Sequence, residues 1–229
     1  MQKRIIVFAP HPDDETFGCG GTIAKEVSDG NFVHIAFLTD GRNSHKSVLG
    51  IQRNPDPEEV KAIRREEART VASLLGVGDG DLTFMDYVDD YLNEQIPLAT
   101  ERVRNILASV EPNAIFVPDE RDLHRDHQAT NTIVKSALGG WSSQVDLYKY
   151  LIWFDSEHES ASPTKGDSLV HIDISAYLEL KRKAIATYRS QTALLFPSQT
   201  RSILPTTFVS KFLLPTERFY VEWKPVYSR

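Results

Sequence analysis

The sequence predicts an α/β fold with a mainly parallel sheet and an antiparallel extension on its C-terminal side. Short apolar, β-rich runs alternate with longer helical patterns, the mark of strands joined by crossover helices. The first run, Ile5–Ala9, is continuously apolar, as a strand covered on both faces must be. The alternation is strict as far as Leu138 and less regular beyond it, which is where the antiparallel strands are expected.

Taken in order, a helix follows the first strand from about Gly20 to Ser28, with Gly30 as its C-terminal glycine. Phe32–Thr39 is the second strand, and Arg42–Pro57 is a long polar loop of the kind compact domains keep for function. The next helix has clear punctuation. Asp56 is a good N-cap, Pro57 takes the first helical position, Glu58 and Glu59 complement the dipole, and Gly76 ends it after Leu74-Leu75. A strand at Asp81–Met85, a helix at Pro97–Val110, a strand at Ala114–Val117 and a helix at Asp126–Leu138 continue the alternation. Leu147–Phe154 and Leu169–Ile172 read as strands, Ala176–Thr187 as a helix and Phe219–Trp223 as the last strand.

The 229 residues suit one domain spanning 1–229. A hydrophobic fraction of 41% and a charged fraction of 25% are those of a globular protein, which excludes disorder, collagen and coiled coil. Twenty-six basic against 32 acidic residues leave a net charge of −6, unfavourable for nucleic acid. The single cysteine, Cys19, excludes an internal disulfide and a cysteine-rich zinc site. No apolar run reaches membrane-spanning length, and Ile5–Ala9 is too short for a signal core, so a cytoplasmic protein is expected. Trp141, Tyr148 and Phe219-Tyr220 suit either a core or a homo-oligomer interface.

Two polar clusters stand at predicted strand ends. The first strand runs into His11-Pro12-Asp13-Asp14-Glu15, and ligands of open parallel sheets bind at carboxyl ends of strands. Capping explains one of these acids, not three beside a histidine, because adjacent carboxylates repel unless something cationic sits among them. The second cluster, Asp122-Leu123-His124-Arg125-Asp126-His127, follows the strand at Ile115-Phe116-Val117. His124 and His127 are three apart and share a face if a helix begins there; alone, that cluster reads equally well as capping with solvated histidines. Together the clusters lie over a hundred residues apart, yet the fold sets both on one rim. Imidazoles and carboxylates without a thiolate suit Zn²⁺ or Fe²⁺, and three protein ligands leave positions open, as catalytic metals require.

Two further features bear on the site. On the helix from Glu58 to Leu75, Val60, Ile63, Val71, Leu74 and Leu75 form an apolar stripe. Glu67 interrupts it and Arg64 lies at its edge, either as an internal ion pair or with Arg64 reaching a site. Gly18-Cys19-Gly20-Gly21 invites a dinucleotide-binding reading, but Ile23 occupies the third glycine position and acids precede it. These glycines read instead as allowance for close packing of the first helix.

With these residues in hand, the sequence resembles the PIG-L/LmbE-like family of metal-dependent N-acetylglucosaminide deacetylases. The likeness rests on His11-Pro12-Asp13-Asp14-Glu15 and His124-Arg125-Asp126-His127. It extends through Thr39-Asp40-Gly41, Arg64 with Glu67-Ala68, Leu75-Gly76-Val77, Asp86, Asp173-Ile174-Ser175, Lys181 and Ser190-Gln191. The resemblance implies a Rossmann-like three-layer fold and a hydrolase that removes the acetyl group from an N-acetylated amino sugar, an N-acetylglucosamine conjugate, with metal-activated water. By the same resemblance, His11, Asp14 and His127 hold the metal, zinc by default with ferrous iron as a substitute. Asp13 is the general base and later the acid, His124 assists at the oxyanion, and Asp126 sets the charge state of His124. Arg64 and Asp86 contact the sugar or its aglycone, and Glu15 orients the loop. Metal-assisted phosphoester hydrolysis and a non-catalytic metal- or carbohydrate-binding module are the rival readings. Two positions depart from relatives: Asp122 stands where some carry a tyrosine, and Tyr188 where many carry a histidine.

Overall fold

Successive side chains of a strand point to opposite faces, so a strand apolar at every position needs a layer on each side. The computed structural model, which describes residues 2–141, 143–155 and 167–224, has this arrangement. Ile5, Val7 and Ala9 enter one core and Ile6 and Phe8 the other. The strands are β1 (Arg4–Ala9), β2 (Phe32–Thr39), β3 (Leu82–Tyr87), β4 (Ala114–Pro118), β5 (Val145–Tyr150), β6 (Asp167–Asp173) and β7 (Thr216–Lys224). They form one sheet in the order β3-β2-β1-β4-β5-β7-β6. The first five in that order are parallel; β7 runs antiparallel to both β5 and β6, so the extension lies where the irregular pattern placed it.

Helices cover both faces. On one side lie α1 (Asp14–Ser28), α3 (Pro57–Leu74) and α6 (Leu178–Thr187), with the short α2 (Ser44–Leu49) before α3. On the other are α4 (Ile96–Val110) and α5 (Arg125–Ala137). Two single turns, α7 (Arg189–Thr192) and α8 (Thr206–Val209), follow α6. Among the described residues no helix is long and apolar enough to cross a membrane. The aromatic stretches belong to the core: Phe219 and Tyr220 are buried, Tyr148 stacks on Phe116 at 4.7 Å between ring centroids, and Trp141 packs on the α4–α5 side.

Several sequence expectations are refined. α1 begins at Asp14 rather than Gly20, because its glycines sit where neighbours press on the helix. A Cβ on Gly18 would stand 2.5 Å from the Tyr150 ring, and one on Gly21 2.4 Å from Ile174. The loop expected at Arg42–Pro57 contains α2. The strand expected over Leu147–Phe154 stops at Tyr150, since the N–H groups of Ile152 and Trp153 donate to Asp122 Oδ2 instead of a neighbouring strand. On α3, Asp56 accepts from the Glu58 N–H as a cap, but Leu74 is exposed and Ala68 and Ala72 take the core positions.

Candidate active site

β1 has β2 on one side and β4 on the other, and Val7 lies in register with Phe116 of β4. This is the point where a doubly wound sheet changes direction and opens a crevice at its strand ends. The loop after β1 and the first residue of α1 carry His11 to Asp14, and the loop after β4 and the first turn of α5 carry Asp122 to His127, so the two clusters meet. The His11 and His127 ring centroids are 5.4 Å apart, and His124 lies 4.8 Å from His11 and 5.0 Å from His127.

Asp14 Oδ2 is the hub. It lies 3.0 Å from His11 Nδ1 and 3.2 Å from His127 Nε2, and accepts from the His11 N–H at 2.9 Å. The far nitrogens of both rings face carboxylates. His11 Nε2 lies 2.9 Å from Asp89 Oδ1 and 3.4 Å from Asp126 Oδ2, and His127 Nδ1 lies 3.1 Å from Asp122 Oδ2.

The electrostatics follow from burial and this density of acids. Burial opposes charge on Asp14, yet His127 and His11 hold its carboxyl well below the usual range. Burial also opposes charge on His127, but Asp122 and Asp14 push it up to about 10, and Asp89, Asp126 and Asp14 likewise raise His11. The carboxylates thus draw positive charge between them, a demand that a bound dication answers.

Asp13 is buried beside the hub, with backbone φ at 134°, a conformation rare for a non-glycine residue. Arg64 holds it there: Nη2 lies 3.0 Å from Asp13 Oδ1 and donates to Pro12 O at 2.6 Å, while Nη1 donates to Gly41 O. Gly41 has positive φ, and a Cβ on it would meet the guanidinium at 2.5 Å. The Asp13 N–H donates to Glu15 Oε2, and Glu15 in turn accepts from Tyr188 Oη at 2.6 Å. Burial, with Asp14 and Glu15 nearby, pushes the Asp13 carboxyl up to about 8 against the pull of Arg64.

His124 caps α5, its Nδ1 accepting from the Asp126 N–H at 3.2 Å. In a neutral ring that acceptor leaves the proton on Nε2. Burial, then the charges on His11 and His127, lower its pKa to about 4, so the ring is neutral near pH 7.

The site opens on a cavity of about 370 Å³. His11, Asp13, Asp14, Arg64 and His124 line it; His127 lies just behind, fully buried. Two placements depart from expectation. The Asp126 carboxylate accepts from the N–H groups of Asp90 and Leu92 and faces His11, so it meets His124 through its backbone. Asp86 stands outside the cavity lining in ion pairs with Lys61 and Arg65, because its positive φ turns it toward α3. Arg64 reaches the site, and Glu67 accepts from the Ser190 N–H and Oγ, positioning α7 so that Gln191 lines the cavity.

The structure adds Asp89, Asp122 and Gln191 to the surroundings of the site. Asp122 does cap locally, accepting from the His124 N–H as its spacing suggests, but its contact with His127 is tertiary. Asp89 follows a strand end, a weak signal in the sequence.

The residues fit a divalent metal. Donors about 2.0–2.1 Å from a common ion stand roughly 3 Å apart, as Asp14 Oδ2 does from both His11 Nδ1 and His127 Nε2. Buried His11 Nε2 and both His127 nitrogens lack a well-formed hydrogen bond. The nitrogens of His11, His124 and His127 lie within 4.8 Å of one another, as do donors of His11, Asp89 and Asp126, so further ligand positions adjoin.

A family model described as PIG-L, GlcNAc-PI de-N-acetylase, matches residues 6–138. The chain is 26% identical over 231 residues to a probable N-acetyl-alpha-D-glucosaminyl L-malate deacetylase 2 of Bacillus cereus, covering 98% of this chain and all of the relative. Its structure is similar to that of the N,N'-diacetylchitobiose deacetylase from Pyrococcus horikoshii, with a TM-score of 0.67, 24% identity and coverage of 96% and 83% of the two chains. The 4-carboxy-2-hydroxymuconate hydratase GalB of Pseudomonas putida shares the fold at a TM-score of 0.69 and 16% identity, covering 100% and 99%. A hydratase and deacetylases on one fold mean that the site, not the fold, decides the reaction.

Proposed function

The chain belongs to the PIG-L family, and from that membership we propose that it is a metal-dependent deacetylase that removes the acetyl group from an N-acetylated amino sugar, an N-acetylglucosamine conjugate. The observation that supports this most directly is the convergence of His11, Asp14 and His127 beside Asp13 and His124 on one cavity.

In this reading His11, Asp14 and His127 hold the ion, zinc or ferrous iron. When bound, it supplies Lewis acidity toward the amide carbonyl and makes water a better nucleophile. Asp13 takes the proton from the attacking water and returns it to the departing amine nitrogen. Its burial favours holding that proton between the two steps, and Arg64 keeps the carboxylate aimed. His124, neutral and protonated at Nε2, donates to the carbonyl oxygen as negative charge develops there. Asp126 acts on His124 through its N–H and on His11 through its carboxylate. Asp86, outside the cavity, is left with no part in this scheme. Phosphoester hydrolysis is not favoured, because Arg64, the one Lys or Arg among the described lining residues, is committed to Asp13.

The test is amine and acetate release from N-acetylglucosaminides by the zinc-loaded protein, beside Asp13→Asn. The variant is expected to lose roughly 10²–10⁴-fold in kcat while binding about one zinc per chain like the parent. Undiminished turnover in Asp13→Asn would remove Asp13 from the mechanism. No amine release from any such substrate would overturn the deacetylase reading.

A further inference from the structure

The cavity has two unlike halves. One is the polar floor described above; the other is a wall built by elements far apart in sequence. Phe17 comes from α1, Ile152, Trp153 and Phe154 from the segment after β5, and Phe208 from α8. The rings pack as a unit: Trp153 lies on Phe208 at 4.6 Å between centroids, tilted by 31°, and Phe17 meets Phe208 edge-on at 5.9 Å. Ile203 and Leu204 extend the wall just before α8. Toward the mouth, Val48 and Leu123 line the same cavity while remaining 39% and 53% exposed. Exposed apolar residues continuous with a partly buried apolar wall mark a surface that a ligand covers.

Charge narrows the ligand. Asp13, Asp14, Asp89 and Asp90 border the cavity, and the guanidinium of Arg64 is occupied by Asp13 Oδ1, Pro12 O and Gly41 O. An anionic group beside the sugar would find no uncommitted Lys or Arg among the described lining residues, so nothing there offsets the cost of taking its charge out of water.

We propose that this wall is a subsite for an uncharged aromatic or alkyl aglycone, so that the substrate is an apolar glycoside of N-acetylglucosamine rather than an acidic one. The inference rests on the deacetylase reading for its reaction but not for its binding. A cavity of about 370 Å³ lies within the range that holds a whole small ligand. The sugar sits over the polar floor with its acetamido group at Asp13 and His124, and the aglycone lies against Trp153 and Phe208.

The experiment compares methyl, phenyl, octyl and L-malyl glycosides of N-acetylglucosamine, all of one anomer, with zinc-loaded protein. The phenyl and octyl substrates are expected to exceed the methyl glycoside in kcat/KM by roughly 10- to 100-fold, mainly through KM, as burial of an apolar group gives. The malyl substrate should fall at or below methyl. Phe208→Ser should shrink the phenyl-to-methyl ratio to within about 3-fold. Leu123→Ser, at an exposed position on the cavity mouth, should lower the octyl-to-methyl ratio. A malyl substrate that matches or exceeds the phenyl one, or equal rates for methyl and phenyl, would overturn the subsite. Calorimetric titration with the phenyl and methyl glycosides separates the two conclusions. Tighter phenyl binding without amine release from any substrate would support the subsite and sink the deacetylase reading, whereas equal binding would sink the subsite.

Discussion

Each imidazole of the proposed metal set is turned by a carboxylate on its outward nitrogen. Asp122 faces His127 Nδ1, which leaves Nε2 toward Asp14; Asp89 faces His11 Nε2, which leaves Nδ1 toward the same oxygen. Such partners fix ring orientation and raise ligand basicity, and their loss costs about 10–100-fold in metal affinity. Asp122→Asn is therefore expected to weaken zinc binding by about that factor, read by competition with a chelating dye. Unchanged affinity would mean that packing alone orients His127. Tyr188, the other departure from relatives, donates to Glu15, which accepts from the Asp13 N–H. It therefore supports the strained Asp13 from behind, where the family resemblance alone led to no specific role.

At the scale of elements, α1 is held closely by its neighbours. It starts directly after the loop of the proposed metal site, and its height over the sheet sets where Asp14 lies. Gly18 and Gly21 let it approach Tyr150 and Ile174, while Lys181 donates to Phe17 O at 2.8 Å. Glu217, paired with Lys181 at 2.6 Å, accepts from the Gly21 and Thr22 N–H groups. In an open helix Gly→Ala stabilises by about 1 kcal/mol. Here the new methyl would sit 2.4 Å from Ile174, so overpacking should win. Gly21→Ala is expected to destabilise by about 1–3 kcal/mol, measured as a lower urea midpoint; a raised midpoint would show that propensity prevails. The glycine run was legible as close packing because no phosphate-binding spacing accompanied it. Which side chains press on it was not legible, since Tyr150 and Ile174 are more than a hundred residues away in sequence.

Across the whole molecule, the proposed metal would tie the end of β1 to the start of α5. That joins two segments over a hundred residues apart at the crevice between β1 and β4. A ligand that binds the folded chain and not the unfolded one at about 100 times its Kd adds about 2.7 kcal/mol. For a chain of this size that corresponds to a rise in Tm of roughly 5–10 °C on zinc loading, reversed by a chelator. A Tm indifferent to zinc at saturating concentrations would argue against a site shared by both loops. The two clusters were recognisable in the sequence as belonging together because both follow apolar strand runs, and parallel strands of one sheet present their carboxyl ends on one rim.

What the sequence determined by itself is whatever depends on near neighbours. The period of apolar residues set strands and helices, Asp56 and Pro57 set the start of α3, and the spacing of His11 to Asp14 and of His124 to His127 set two donor groups. What only the tertiary structure decided depends on register between distant strands and on the paths of loops. It placed Asp122 on His127 and Asp89 on His11, and it turned Asp86 out of the cavity. It also ended β5 at Tyr150, so that Trp153 meets Phe17 and Phe208 in one wall. A backbone hydrogen bond or an apolar stripe is specified within a few residues, whereas a buried carboxylate finds its partner only when whole elements have packed and no water remains to compete.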